Sequence, residues 1–374
     1  MIRVLQIVSC LEMGGTEAFI MNHYRHIDRD KVQFDFLVFN KGNYPYLKEI
    51  EQLGGKVFWA VNPSLKSAIQ FYEIFRRIIR EHGPYAAVHC HVNSGNAIPL
   101  VCAKLMGIRN RISHSHDTKQ LRPGVGKAFA FHFKRQLIRC VATKYFACGE
   151  EAGAELYGNN FFKKNGQVIH NGIDLPQFIY GNESCVESLR KEFGLSNQND
   201  LVIGNISRFE PKKNQMFAID VFSELLKLRP NAVMLLGGID GGQLQEVLQK
   251  IERLQLQDHI RYIGVRKDVC DCLHVMDAYL FPSLYEGVPI AFLEAQASGC
   301  MCIASDGVPL ESDMGLGSVF FLKLSQTPAE WAAAIDERYN NFVRPIPSVI
   351  PGKFEEKGYN LDSSSEFLMK IYEA

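Results

Sequence analysis

Neither sign of charge is in surplus in this chain. Its 374 residues hold 41 Lys and Arg against 41 Asp and Glu. A net charge of zero argues against a general nucleic-acid binder, whose affinity rests on a basic excess. No apolar run is long enough to span a bilayer. The first residues, Met1 to Val8, read directly as a strand, so no secretory leader is expected. The ten cysteines are scattered without paired motifs, even where Cys270 and Cys272 stand two apart. They read as reduced cytosolic thiols and not as a disulfide framework or a zinc site. No Gly-x-Gly-x-x-Gly follows the strand-like segments Val4–Ser9 and Leu201–Ser207, which speaks against a dinucleotide-dependent dehydrogenase. Tandem short repeats and low-complexity tracts are also missing.

What is there is an ordinary soluble composition, 47% hydrophobic and 22% charged, in a chain long enough for two domains. Strand-like runs alternate with amphipathic helical runs, so the expected class is α/β with doubly wound parallel sheets. The first half reads as strands at Val4–Ser9, Phe34–Phe39, Ala86–His91, Asn110–His114, Tyr145–Cys148 and Gln167–His170. A helix is predicted over Thr16–Arg25. Another is predicted over Leu65–Glu81, with Ile69, Tyr72, Phe75, Ile78 and Ile79 on one face. The grammar restarts at Leu201–Ser207 and continues through a helix at Gln215–Leu228 and strands at Ala232–Leu236, Ile260–Ile263, Ala278–Phe281 and Met301–Ala304. Residues 181–200 are polar and read as a linker. The predicted organisation is one Rossmann-like domain over 1–180, a second over 201–358, and a C-terminal helix over 359–374 that returns to the first. Ligands of such sheets bind at the carboxyl ends of the strands, here in a cleft between the two domains.

The densest stretch runs from Glu286 to Gly299. Two glutamates, Glu286 and Glu294, stand with seven residues between them. The pattern predicts strand, loop and helix, with Glu286 in the loop and Glu294 about one turn into the helix. A helix start at a strand's carboxyl end suits a phosphate, because free N–H groups and the helix dipole point at the anion. Gly287 permits close approach, and Pro289 fits a first-turn position. Carboxylates beside a phosphate site are useful when the ligand also bears hydroxyls, as a nucleotide sugar does. Arg208 and Lys213, after the first strand of the second half, are cations suited to a diphosphate. They would stabilise charge building on it as a leaving group.

Other candidates are weaker alone. Gly14 and Gly15 follow the first strand and can form a loop over a diphosphate. His116, after the strand ending near His114, offers an imidazole to a sugar hydroxyl or a reacting oxygen. His89 and His91 alternate on one strand, but the sequence positions no third ligand, so they read as core or cleft-wall residues. Asp28-Arg29-Asp30 reads as a solvated turn, and Asn171-Gly172-Ile173-Asp174 as a hinge. From Ala103 to Lys144 there are ten Lys and Arg and one acid, Asp117. Phe129, Phe133 and Leu137 recur there at helical spacing. That segment is either an apolar core stripe with a solvated basic face or a helix lying on an anionic membrane.

Taken in order, Gly14-Gly15-Thr16-Glu17, His114-Ser115-His116, Asn171-Gly172-Ile173-Asp174, Arg208 with Lys213, and Pro282 to Gly287 running on to Glu294 resemble the retaining glycosyltransferases of family 4, with the GT-B fold. Within it the chain is similar to enzymes of exopolysaccharide and capsule synthesis. The resemblance covers nearly the whole chain. It implies a metal-independent hexosyltransferase with no cofactor. A nucleotide-sugar donor, uridine-linked, would bind the C-terminal domain, and a glycan or polyprenyl-diphosphate-linked acceptor the N-terminal one. It further implies that Arg208 and Lys213 hold the donor diphosphate without a metal. Glu286 meets the transferred sugar, with backbone amides from Gly287, Val288, Pro289 and Ile290. Glu294 takes the ribose hydroxyls, Gly14 and Gly15 approach the diphosphate, His116 touches the sugar, and Arg266 lies near the base. Loops 42–65 and 117–130 are expected on the acceptor side. The protein would be cytoplasmic, with a peripheral position on the inner face of the cell membrane as a further expectation. Two departures stand out: Gly237-Gly238-Ile239-Asp240-Gly241-Gly242 where a Gly-x-Gly-Pro turn is common, and Cys300 after Gly299. Two other readings share the fold: a nucleotide-sugar epimerase, and a catalytically silent sugar-nucleotide-binding subunit of a polymer-synthesis complex.

Overall fold

The computed structural model describes residues 1–12, 14–64, 66–116, 125–195 and 201–374. It resolves into two units, Met1–Gly172 with Leu361–Ala374, and Ile173–Asn360. The first is built on a seven-stranded sheet: β1 (Ile2–Val8), β2 (Val32–Val38), β3 (Val57–Trp59), β4 (Ala87–Cys90), β5 (Asn110–Ser115), β6 (Lys144–Ala147) and β7 (Gly166–Val168), in the order β3-β2-β1-β4-β5-β6-β7. The second carries six strands: β8 (Val202–Ile206), β9 (Val233–Gly237), β10 (Ile260–Gly264), β11 (Ala278–Phe281), β12 (Met301–Ser305) and β13 (Val319–Leu322), in the order β10-β9-β8-β11-β12-β13. Every pairing is parallel. The fold is therefore two doubly wound α/β units, as the alternation of elements predicts and as the resemblance to GT-B proteins implies.

Helices cover both faces of each sheet, which is why the strands read as near-continuous apolar runs. In β1, Leu5 and Ile7 pack into one core layer, while Val4 and Val8 pack into the other. In β11, Tyr279 and Phe281 serve one layer and Ala278 and Leu280 the opposite one. This is the period-two alternation of a strand buried on both sides. The strand order reverses between β1 and β4 and again between β8 and β11. At those two points the carboxyl-end loops diverge and leave room for a ligand.

Several expectations need adjustment. Residues 181–200 are not a bare linker, since Glu183–Glu192 is helical and Leu189, Phe193 and Leu195 enter the second unit's core. The polar side chains of that helix face solvent, and residues 196–200 lie outside the described residues. The helix predicted over Leu65–Glu81 runs Ala68–His82, and Leu65 lies outside the described residues. Its buried face is Phe71, Phe75 and Ile78, while Ile69 is 82% exposed. Residues 42–65 are more than a loop, because they contain the helix Leu47–Gln52 and β3. Short strands such as β3 and β13 are too brief for alternation to announce. The C-terminal helix Leu361–Glu373 packs within the first unit, burying Leu368 and Tyr372 beside Phe34 and Phe146.

Candidate functional site

In the second unit two loops meet at the reversal point. β8 ends at Ile206, and its loop carries Arg208 and the short 3-10 turn Pro211–Lys213. Asn214 then adopts a left-handed conformation (φ 57°) that a short amide side chain tolerates. β11 ends at Phe281 and leads into Pro282–Glu286. Three contacts stitch the loops together. The Asn214 amide donates to the Pro282 carbonyl at 3.1 Å, Leu284 N–H to the Lys212 carbonyl at 2.7 Å, and Lys213 Nζ to Glu286 Oε1 at 2.6 Å. The last pair is mostly buried, with side-chain exposures of 14% and 8%. The Lys213 ammonium also lies 5.0 Å from the centre of the Phe281 ring, a cation–π position. Glu286 N–H donates to the Gly307 carbonyl at 3.0 Å. A Cβ at Gly307 would stand 2.3 Å from the Leu284 carbonyl oxygen, so only glycine fits. The sequence reading missed Asn214 and Gly307; a turn-forming Asp306-Gly307 dipeptide was the available signal.

The helix after Glu286 spans Ile290–Ala297 with Pro289 as its N-cap residue, one position earlier than expected, and no side chain caps it. Its first-turn N–H groups have no intrahelical acceptors. Pro289 has no amide proton, so of the four backbone positions only Gly287, Val288 and Ile290 can donate. Glu294 lies on the helix's second turn. Burial alone pushes its carboxyl up to about 7, and no hydrogen bond reaches that carboxyl from the described residues. A partly buried carboxyl without a protein donor can accept from ligand hydroxyls. The Arg208 stem passes the loop after β9, where a Cβ at Gly241 would meet its Cγ at 2.9 Å. In that same loop Asp240 accepts from the N–H groups of Gly242 and Leu244 at 2.7 and 3.2 Å, which starts the next helix. Arg266 is differently placed from the others. Its guanidinium is engaged by Asp268 (2.8 Å) and Glu192 (2.7 Å) and stacks on Phe193. It is held above its ordinary basicity by those carboxylates. Its own side chain is thus committed within the protein.

In the first unit Gly14 is the N-cap residue of the helix Gly15–His26, again with no side-chain cap. A Cβ at Gly15 would meet nothing within 4 Å, whereas one at Gly14 would meet the Glu17 carboxylate at 2.5 Å. His116 follows β5. Its N–H donates to Asn93 Oδ1 at 3.0 Å, and burial lowers its imidazole to about 3. His89 and His91 do gain a third partner here. One nitrogen from each of His89, His91 and His114 falls within 4.8 Å of the others, because two parallel strands place alternate residues on the same face. Both nitrogens of His89 and of His91 are already hydrogen-bonded, to Tyr372 (2.8 Å), His114 (3.2 Å), His116 (2.9 Å) and Gln6 (2.9 Å). The trio is a hydrogen-bonded network as it stands.

The basic segment also divides. Arg135 donates to the carbonyls of Glu155 and Leu156, and Arg139 to that of Tyr157. They satisfy the end of the helix Glu150–Tyr157. Arg111 likewise binds the carbonyls of Ile108 and Val141. The helix Val125–Val141 buries Ile138 and Val141 but leaves Phe129 and Phe133 77% and 51% exposed, so the predicted stripe is only partly a core stripe. Asp117, Lys119 and Arg122 lie outside the described residues, as do positions 117–124 of the expected acceptor-side loop. Among the described residues no helix is long and apolar enough to cross a membrane.

With that geometry in view, comparison with known proteins is specific. A sequence profile for glycosyltransferase family 4 matches residues 13–177, and one for glycosyl transferases group 1 matches residues 187–341. The chain is 32% identical to the putative glycosyltransferase EpsF of Bacillus subtilis (strain 168), across 99% of this chain and 96% of that one. It is 24% identical to the capsular polysaccharide biosynthesis glycosyltransferase CapH of Staphylococcus aureus, across 90% of each. Among solved structures it is similar to Anabaena Alr3699/HepE in complex with UDP-glucose, with a TM-score of 0.74 and 18% identity over 100% of this chain and 98% of that one.

Proposed function

The chain belongs to glycosyltransferase family 4, and from that premise we propose that it moves a hexose from a uridine-linked nucleotide sugar to a glycan or polyprenyl-diphosphate-linked acceptor, retaining the anomeric configuration and using no metal ion. A polysaccharide role draws support from the relative named for capsular polysaccharide biosynthesis, CapH. The uridine assignment draws support from the structural neighbour crystallised with UDP-glucose. The observation that carries the reading is the Lys213–Glu286 pair, 2.6 Å apart on two stitched loops, with the donor-less Glu294 carboxyl on the helix that follows.

Each group then has a task. Lys213 and Arg208 meet the diphosphate and stabilise the charge that grows on it as the glycosidic bond breaks. Held by Glu286 and Phe281, Lys213 needs little reorganisation to do so. Glu286 accepts from a hydroxyl of the transferred hexose, and the amides of Gly287, Val288 and Ile290 donate to the donor's oxygens. Glu294 accepts from the ribose hydroxyls. In a front-face attack the departing phosphate takes the acceptor's proton, so no separate carboxylate base is required. The exposed Phe129 and Phe133 with the neighbouring Lys134 support a peripheral position on the inner membrane face, where a lipid-linked acceptor would be presented.

The test is a thermal-shift titration in EDTA with UDP, GDP, ADP and their hexose conjugates, on the wild type, Lys213→Ala and Glu286→Ala. A ligand at about 100 times its Kd stabilises by about 2.7 kcal/mol. The uridine series should raise the midpoint in EDTA. Lys213→Ala should lose that rise, and Glu286→Ala should lose the increment due to the hexose and part of the rise with UDP, because Lys213 loses its anchor. A wild type stabilised by none of them, or only with a divalent ion, overturns the metal-free donor site.

A further inference from the structure

Four histidines are buried together in the first unit, and a fifth, His116, is partly buried beside them. His89 and His91 come from β4 and the residue after it, and His114 and His116 from β5 and the residue after it. His23 comes from the helix above. Ring centres of His89 and His91 lie 4.1 Å apart, and those of His114 and His116 4.2 Å apart. They occupy a sheet face whose other positions, Val4, Ala87 and Ile112, are apolar. Gln6, 1% exposed on β1, places its amide side chain against His91.

Its two ends give the network a direction. The Gln6 side-chain amide also hydrogen-bonds Tyr372, which leaves Oε1 for His91. An amide oxygen only accepts, so His91 Nε2, 2.9 Å away, carries the proton. A neutral imidazole has one N–H, so His91 Nδ1 is a lone pair. The contact between it and His116 Nε2, at 2.9 Å, must then use a proton on His116. That leaves His116 Nδ1 a bare lone pair, and it is buried without a partner among the described residues. Desolvation keeps both imidazoles neutral far below their ordinary range. The opposite arm runs from Gln6 through Tyr372 and His89 to His114, whose Nε2 likewise has no partner among the described residues.

We propose that Gln6 and His91 are positioning residues that fix His116 as the Nε2–H tautomer, so that its Nδ1 accepts a hydrogen bond from a hydroxyl of the bound sugar. The proposal rests on the nucleotide-sugar reading above. The unpartnered nitrogen says what is missing, namely an O–H donor, and the relay says why an imidazolium or the other tautomer is not available there.

The experiment labels histidine with ¹⁵N and compares wild type with Gln6→Met, similar in length but without an amide. Nitrogen shifts report which ring atom carries the proton, with or without ligand. Wild-type His116 should show a protonated Nε2 and an unprotonated Nδ1, and Gln6→Met should give a tautomer mixture. Calorimetry then compares UDP with UDP-hexose. Gln6→Met and His91→Phe should bind UDP like the wild type, yet lose roughly tenfold in the added affinity or in kcat that the hexose brings. His91→Asn, which keeps an acceptor near the Nδ1 position, should restore part of it. Three results overturn the proposal: a proton on His116 Nδ1 in the wild type, Gln6→Met with unchanged shifts and hexose dependence, or stoichiometric metal in the purified protein that His91 variants lose. Failure of the wild type to bind any nucleotide would instead remove the donor reading, while the tautomer measurement still tests the relay.

Discussion

Glu294 illustrates how much one partly buried carboxyl decides. Its folded value of about 7 lies above the ordinary 4.5, so near pH 6 the folded chain keeps a proton that the unfolded chain has lost. This contribution to stability is complete below about pH 4.5 and is lost as pH rises through about 7. Glu294→Gln should flatten that decline and stabilise the ligand-free protein by about 1–3 kcal/mol at pH 8, measured by denaturant unfolding. It should also weaken UDP binding, since a Gln amide accepts at one atom only. Two glycines separate ligand need from folding need. Gly15→Ala has open space and a helical position, so stability should hold or rise by up to about 1 kcal/mol, while donor affinity falls. Gly238 has φ +135° and would set a Cβ 2.0 Å from the Ser207 carbonyl oxygen. Gly238→Ala should therefore cost on the order of 3 kcal/mol with or without ligand. A Gly15→Ala protein with undiminished UDP affinity would overturn the expectation that Gly15 approaches the diphosphate.

Among the elements, those with clear periodicity were the ones legible in advance. The helix Gln215–Leu228 and the strand Ala278–Phe281 were readable to the residue, because turn residues bound them and the apolar run between is unbroken. The helix Ala68–His82 was readable in place but not in orientation. Ile69 fits the 3.6-residue pattern, yet Phe71 is the residue that reaches the core, and only the packing partner chooses between adjacent stripes. The helix Val125–Val141 shows the opposite case, where chemistry at helical spacing is split by the fold. Arg135 and Arg139 turn inward to cap a neighbouring helix, and Phe129 and Phe133 remain outside. Phe129→Ser with Phe133→Ser should abolish sedimentation with anionic vesicles and leave UDP affinity untouched. Equal sedimentation of wild type and variant would overturn the membrane role proposed for this face.

For the molecule as a whole, the two units should answer acid with opposite signs. Burial holds His23 and His116 at about 3 and His89, His91 and His114 well below 6.5. The unfolded chain therefore binds protons there that the folded first unit refuses. That stability is present above about pH 6.5 and is lost as pH falls toward 3. Glu294 pulls the second unit the other way between about 7 and 4.5. Hydrogen exchange read by mass spectrometry at pH 7.5 and pH 5.5 should show protection falling in residues 1–172 and holding or rising in 201–360. Uniform loss in both would contradict this division. A chain ended at Asn360 should lose protection in the first unit selectively, because Leu368 and Tyr372 are part of its core and Tyr372 anchors His89.

The sequence by itself determined the class and marked the residues proposed for the donor side. Alternating apolar runs, a glutamate pair with fixed spacing, and two cations after a strand are local patterns, and local patterns survive without coordinates. The same holds for Gly14, Gly15 and His116, each announced by its place after a strand. Tertiary structure alone decided what those residues touch. It paired Lys213 with Glu286 across 73 positions, gave Arg266 to Asp268 and Glu192, and brought residues 361–373 back onto the first sheet. It also gathered Gln6, His91, His116 and Tyr372 from four distant segments into one directed network. No period in the sequence encodes a contact between parallel strands and a returning helix; such contacts exist only once burial of the apolar faces has fixed the register.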